Sequence, residues 1–237
     1  MSSSPAIRPA STVVLLRDGD AGIETLLLKR NKALNFAGGF WVFPGGSLDP
    51  EDLEQASGDE EQASRLAACR EAQEECGQCP HPEDMILLSH WTTPEAEKKR
   101  FSTWIYAAPL RADEDVVIDG SEIHDHRWLP VTDALAEHRA GDLAILPPTW
   151  ITLMNVGRYL SVADFIDGER DRPVPQVLPV LCSHEGTMVA LYRGDAGYDA
   201  ADPDVPGARH RARWSSDGWD YEYQGVDVSY APLIEGI

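Results

Sequence analysis

Between Glu60 and Cys76 the chain reads as a helix, with Gly77 placed to end it. On a wheel of about 100° per residue with Ala63 at zero, Glu74, Glu71 and Glu75 fall at about 20°, about 80° and about 120°. Leu66, Ala68, Cys69, Ala72 and Cys76 fill the arc from about 140° to about 300°. One face therefore packs into a core, and the adjacent face gathers three carboxylates. Such carboxylates at i,i+3 and i,i+4 repel by roughly 0.2–0.5 kcal/mol per pair. They also occupy the last turn, where the helix dipole disfavours anions. Arg70 offsets part of this by pairing with Glu74 one turn on. A hard divalent cation offsets more, since Mg²⁺ takes oxygen ligands: one or two carboxylates together with phosphates and water. The competing reading of the same residues is a solvated acidic face on an ordinary amphipathic helix.

The segments around this helix alternate between strand and helix patterns. Val13 to Leu16 and Ile23 to Leu28 are β-prone runs joined by Asp18-Gly19-Asp20-Ala21-Gly22, which reads as a hairpin. Asn31 to Gly46 is loop-like and holds the short FWVFPGG stretch. Pro50 to Ser57 is acidic and also reads as loop. Met85 to Trp91, Phe101 to Ala107 and His126 to Leu129 read as strands, and Val131 to Arg139 as a short helix. Pro147-Pro148 opens a further helix from Thr149 to about Ile166. Gln176 to Leu181 and Thr187 to Tyr192 read as strands, and the last forty or so residues as ordered loops and short strands. A soft boundary near Gly141 divides residues 8–140 from an extension, 141–237, expected to pack on the same domain. This order of elements predicts an α/β (α+β) sandwich around a mixed sheet.

Net charge is −20, with 40 acidic against 20 basic residues. Such a surface repels nucleic-acid backbones, so no nucleic-acid partner is expected. A small phosphorylated ligand stays compatible with it, because a bound divalent cation inverts the local charge. No apolar run approaches the roughly 20 residues needed to span a bilayer, so no membrane partner is expected. Three of the four cysteines, Cys69, Cys76 and Cys79, crowd into one short segment, a poor disulfide framework. A reducing, cytoplasmic setting follows as the expectation.

The segment Arg70-Glu71-Ala72-Gln73-Glu74-Glu75-Cys76-Gly77, with Phe43-Pro44-Gly45-Gly46 upstream, resembles the Nudix box, G-x5-E-x7-R-E-U-x-E-E-x-G-U with U aliphatic. The resemblance implies a Nudix-type α/β/α sandwich around a mixed sheet, with a C-terminal helix-plus-strand extension. It departs from the pattern in the first half. Arg70 lies 24 positions after Gly46, about ten more than the box carries, which places an insert in a loop near Asp49 to Asp59. Counted back from Arg70, the box's first glutamate falls at Gln62, leaving Glu60 or Glu61 to replace it. Gln78 stands at the final aliphatic position.

Gly39-x3-Phe43-Pro44-Gly45-Gly46, Trp91-x-Thr93-Pro94, Arg100-Phe101-x-Thr103 and Leu146-Pro147-Pro148-Thr149 are similar to segments of the coenzyme A and acyl-CoA diphosphatase branch. Asn35 stands where the longer coenzyme A motif has an arginine, with Arg30 and Lys32 nearby but out of register. The resemblance implies metal-dependent hydrolysis of a diphosphate bond in a small nucleotide-containing metabolite. Coenzyme A or an acyl-CoA comes first. ADP-ribose, NADH or another nucleoside diphosphate derivative is the alternative, and a non-catalytic Nudix binding module a third.

It further implies Mg²⁺ or Mn²⁺ on Glu71, Glu74 and Glu75, with the Gly45 carbonyl completing the set. Glu74 and Glu71 would activate the attacking water, and Arg70 would orient a glutamate. One more acid is expected from a downstream loop: Glu122, with Asp113, Glu114 and Asp119 as weaker candidates. Arg30 and the basic cluster Lys98, Lys99 and Arg100 are candidates for substrate phosphate, the cluster being equally readable as a solubilising run. Cys76-x2-Cys79 with His81 and His90 invites a zinc site, but a buried structural cysteine fits the wheel better. His124, His126, His184 and His210 carry no ligand pattern. Trp214, Trp219, Tyr221 and Tyr223 fit a base-stacking pocket or a homodimer interface equally well.

Overall fold

The computed structural model describes residues 6–34, 37–110 and 115–236. Asn35, Asp113 and Glu114 lie outside them. In chain order the elements are β1 (Ile7–Gly19), β2 (Gly22–Arg30), β3 (Trp41–Val42), β4 (Gly45–Ser47), α1 (Pro50–Gln55) and α2 (Glu60–Cys76). β5 (Ile86–Thr92), β6 (Arg100–Pro109), β7 (Ile123–Pro130), α3 (Val131–Ala140), α4 (Pro147–Val156) and α5 (Val162–Glu169) follow. The chain closes with β8 (Gln176–Val177), β9 (Val180–His184), β10 (Thr187–Leu191), β11 (Arg209–Ser215) and β12 (Gly218–Gln224).

The main sheet is mixed, in the order β3-β2-β1-β6-β5-β8, with β4 also on β1 and β7 also on β2. β1 runs parallel to β6, and β5 to β8. Strand side chains alternate between faces. Val13 and Leu15 face α2 with Leu26, Leu28, Ala68, Ala72, Cys76 and Tyr106. Val14 and Leu16 face the other side with Leu27, Ile105, Trp150 and Phe165. Both faces are covered, which is why Val13 to Leu16 form an unbroken apolar run. The antiparallel sheet β12-β11-β10-β9 sends Ala190, Ala212, Trp219 and Tyr221 into that second core, alongside residues from the N-terminal part of the chain.

One feature of the main sheet places the site. β6 occupies one edge of β1 throughout, so β2 and β4 share the other. β2 pairs with Leu16 to Gly19, and β4 with Ala10 to Thr12. The sheet splits between them, and Pro44 enters the gap, its carbonyl accepting from the Val13 amide at 2.9 Å.

Four local expectations change. Pro50 to Gln55 forms α1 rather than loop. Proline in the first turn and acids at a helix N-terminus favour a helix, and Asp52 accepts a hydrogen bond from the Asp49 amide at 2.9 Å. The single helix from Thr149 to Ile166 is two helices, because Ser161 starts α5 afresh as an N-cap accepting from the Asp164 amide at 3.1 Å. Gln176 to Leu181 divides between two sheets at Leu178-Pro179, where proline has no amide to continue a ladder. β11 and β12 are longer than expected, seven residues each. Arg211 on β11 and Asp195, at 1% and 0% side-chain exposure, form a bidentate pair at 2.6 and 2.7 Å.

Candidate active site

The Gly45-Gly46 turn is glycine for two separate reasons. A Cβ on Gly45 would stand 2.3 Å from the Ser11 carbonyl oxygen, because β4 lies hard against β1. A Cβ on Gly46 would stand 2.4 Å from Glu71 Oε1, because the carboxylate of α2 rests on the turn. The Gly45 amide donates to Glu75 Oε2 at 2.9 Å. The sequence points to the Gly45 carbonyl; the contact the fold shows is through its N–H.

α2 starts and stops where the sequence places it. The Asp59 side chain caps its N-terminus, and Gly77 closes it with φ of 73°. Its carboxylates differ sharply in surroundings. Glu74 is exposed and Glu71 half-buried, while Glu75 is only 6% exposed. Burial pushes the Glu75 carboxyl up to about 8, with the Gly45 amide and Arg30 opposing and Glu71 and Glu122 adding to the rise. Burial likewise raises Glu71 above its ordinary value, against the pull of Arg70.

Arg70 makes the expected pair with Glu74, at 3.2 Å, and holds Glu71 at 3.1 Å. Its other nitrogens reach the Ser47 carbonyl at 2.9 Å and Asp52 at 3.0 Å. Asp52, 3% exposed, was not among the expected residues. Counting forward from Gly46 finds it: it stands at the position of the first box glutamate, one methylene shorter. The insert therefore falls after Asp52, and neither Glu60, Glu61 nor Gln62 takes that place.

Arg30, from the end of β2, joins the helix to a loop. Its guanidinium lies 2.9 Å from Glu122 and 3.8 Å from Glu75. Its buried Nε has no partner among the described residues. The loop before Glu122 is docked on the end of α2, the Val117 amide donating to the Cys76 carbonyl at 3.1 Å and the Asp119 amide to the Glu75 carbonyl at 3.3 Å. Burial would raise the Asp119 carboxyl, but hydrogen bonds from Ser121, Glu122 and Ile123 outweigh it and hold it at about 2.

The basic cluster is not brought to this place. Arg100 is buried and donates to the Thr93 carbonyl at 3.1 Å. Lys98 and Lys99 are exposed on the β5–β6 turn. Arg100 pairs with Ile7, and Gly45 with Thr12, a separation of roughly 17 Å along β1. Cys76 is buried and donates to the Ala72 carbonyl, and the four cysteines are free. Among the described residues no three His, Cys, Asp or Glu side chains converge into a ready-made metal cage; Arg30 bridges Glu75 and Glu122, and Arg70 bridges Glu71 and Glu74. The donor set still suits a hard cation, with a carboxylate raised by burial and further by its acidic neighbours, and hard oxygen ligands only. Trp219 donates its ring N–H to the Ile145 carbonyl at 3.0 Å and packs in the core with Tyr221.

A family profile for the NUDIX domain matches residues 7–147. Two curated relatives are similar over part of this stretch. The peroxisomal coenzyme A diphosphatase ndx-8 of Caenorhabditis elegans is 30% identical over 139 residues, 57% of this chain and 54% of that protein. The acyl-coenzyme A diphosphatase NUDT19 of Xenopus laevis is 26% identical over 128 residues, 51% of this chain and 33% of that protein. The chain thus spans about half of one and a third of the other. A crystal structure of a NUDIX hydrolase from Alicyclobacillus acidocaldarius superposes with a TM-score of 0.65 at 23% identity, covering 72% of this chain and 100% of that one. At that identity the likeness is one of fold.

Proposed function

This chain belongs to the Nudix family, and on that premise we propose that it hydrolyses the diphosphate bond of coenzyme A or an acyl-CoA, releasing adenosine 3′,5′-bisphosphate and (acyl)phosphopantetheine. One observation carries the proposal. Glu71 and Glu75 on α2 and Glu122 on a distant loop are assembled around Arg30 and the Gly45-Gly46 turn. The coenzyme A part rests on the turn motif and on the named activities of the partial relatives.

A divalent cation, Mg²⁺ or Mn²⁺, held by Glu71, Glu75 and Glu122 would neutralise the diphosphate oxygens and polarise phosphorus toward attack. The remaining work falls to the chain. The Gly45 amide fixes the Glu75 carboxylate, and Arg70 fixes Glu71, so neither has to reorganise during the reaction. The free Nε–H of Arg30 is a buried donor suited to a phosphate oxygen. Glu74, on the solvent side of the Arg70 pair, takes the proton of the attacking water. Residues 8–140 supply this site, and residues 141–237 complete the core behind it. Among the described residues no helix is long and apolar enough to cross a membrane. Free thiols fit a reducing, cytoplasmic placement.

The test is a substrate panel of coenzyme A, acyl-CoAs, ADP-ribose and NADH with Mg²⁺ and Mn²⁺, products identified by mass, and Glu75→Gln as control. Adenosine 3′,5′-bisphosphate formed by the wild type alone supports the proposal. AMP from ADP-ribose or NADH, with coenzyme A untouched, moves the substrate to the second class. Asn35 at the motif's arginine position is the observation that favours that class. Turnover of nothing overturns the enzymatic reading.

A further inference from the structure

We propose that Asp119 is a positioning residue for this site: it holds the turn that aims Glu122 at the Arg30–Glu75 pair, and is not itself the acid recruited from the loop. The inference rests on Glu122 serving the proposed diphosphatase site.

The Asp119 carboxylate is turned into its own loop. Oδ2 accepts from the Ser121 amide at 3.0 Å, the Glu122 amide at 2.9 Å and the Ser121 hydroxyl. Oδ1 accepts from the Ile123 amide at 2.9 Å. These four donors occupy both oxygens on the face turned to the loop. Three successive amides gathered on one carboxylate fix the backbone of residues 121–123, and with it the direction in which the Glu122 side chain leaves. The turn is also held from outside. The Asp119 amide donates to the Glu75 carbonyl at 3.3 Å. On the far side the Asn31 amide donates to the Glu122 carbonyl at 2.8 Å, and Asn31 Nδ2 to the Ser121 carbonyl at 3.3 Å.

Asp119 thus touches by its amide the residue that bears one acid and by its carboxylate the turn that bears the other. Without the carboxylate the amides of residues 121–123 turn to water, and Glu122 loses its fixed exit from the loop. Arg30, 2.9 Å from Glu122, then holds that side chain without a rigid backbone behind it.

The test compares wild type, Asp119→Ala, Asp119→Asn, Glu122→Gln and the double variant Asp119→Ala/Glu122→Gln. Turnover is measured, and Mn²⁺ affinity is measured separately by electron paramagnetic resonance without substrate. Asp119→Ala is expected to lower Mn²⁺ affinity and kcat on the order of tenfold, with KM within about twofold. Asp119→Asn keeps one acceptor oxygen and falls between, and it carries the comparison if the alanine variant does not fold. Because Asp119 acts through Glu122, the double variant should match Glu122→Gln within about twofold. An Asp119→Ala protein that equals wild type in both readouts overturns the proposal. So does a double variant in which the two losses multiply in full, as they would if Asp119 merely stabilised the fold. If the wild type cleaves no diphosphate yet Asp119→Ala and Glu122→Gln share one loss of Mn²⁺ affinity, the function proposed above fails and the positioning role stands. If the wild type is active and Mn²⁺ affinity ignores Glu122, the reverse holds.

Discussion

Replacing Asp52 by alanine probes the link between the two halves of the box. Asp52 is 3% exposed, and its side chain accepts from Arg70 Nη2 at 3.0 Å and from the Asp49 amide at 2.9 Å. A hydrogen bond to a charged group contributes about 1.5–3 kcal/mol, and loss of a helix-start contact costs about 1 kcal/mol. Arg70 is not stranded by the change, since it keeps the Ser47 carbonyl, Glu71 and Glu74 and is itself 27% exposed. That puts the expected loss at the lower end, about 2–3 kcal/mol. With a slope of about 2–3 kcal/mol per molar, the urea midpoint falls by about 1 M. Activity should suffer too, because the guanidinium that orients Glu71 loses its deepest anchor. A fall in kcat on the order of tenfold is expected with KM little changed. Asp52→Asn keeps the shape and one acceptor, so it should recover roughly half of the stability. Urea melts and steady-state kinetics on the two variants decide it. An alanine variant with a midpoint within about 0.2 M of wild type and kcat within about twofold would refute the assignment of Asp52 as the Arg70 anchor.

Glu75→Gln should lower turnover by about 10²–10⁴-fold, since it removes a carboxylate proposed to hold the cation, whose charge stabilisation is worth several kcal/mol. It should also flatten the pH dependence of stability: with the carboxyl raised to about 8, the folded state holds a proton the unfolded state has released, so the metal-free protein loses stability as pH rises from about 4.5 to about 8. Melting curves from pH 5 to 9 check the sign, and a metal-free wild type that gains stability across that window contradicts it. Asp195→Ala leaves the Arg211 guanidinium buried without its counter-charge and should cost about 3–5 kcal/mol, whereas replacing both by apolar residues of similar volume recovers most of it, as thermal melts of both variants will show. Lys98→Ala/Lys99→Ala should leave KM for coenzyme A within about twofold, because the strand register sets that turn roughly 17 Å along β1 from Gly45; a several-fold rise would return the turn to the substrate.

What was legible in the sequence was periodic or compact. The limits of α2 follow from its cap residues, and the Asp20-Ala21 hairpin turn from its glycines. The wheel places Glu71, Glu74 and Glu75 on one arc but cannot rank them. Rank is burial, and burial of Glu75 comes from β4 and Arg30, which the helix alone does not contain. A count taken backward from Arg70 crosses the insert and passes over Asp52; from the glycine side its position is regular. Lys98, Lys99 and Arg100 looked like one cluster, yet strand pairing separates them, Arg100 going inward and the lysines outward. Gly157 through Ser161 broke an apolar run that periodicity alone reads as continuous, since Ser161 offers the second helix its own start.

The insert also shows why a stretched box still closes. The added residues lie between Asp52 and Arg70, and the contacts Arg70–Asp52 and Glu71–Gly46 bridge that interval directly. Lengthening a loop from about seven residues to about seventeen costs only about 0.8 kcal/mol in closure entropy. The extra chain is not left as loop. It forms the end of α1 and the first residues of α2, ahead of Ala63, which is fully buried. There the Ser64 hydroxyl meets the Tyr106 hydroxyl at 2.6 Å, and Arg65 donates to the Met85 carbonyl at 2.6 Å. The insertion therefore lies away from the end of the helix that carries Glu71, Glu74 and Glu75, and Glu71 and Glu75 keep their place against the Gly45-Gly46 turn.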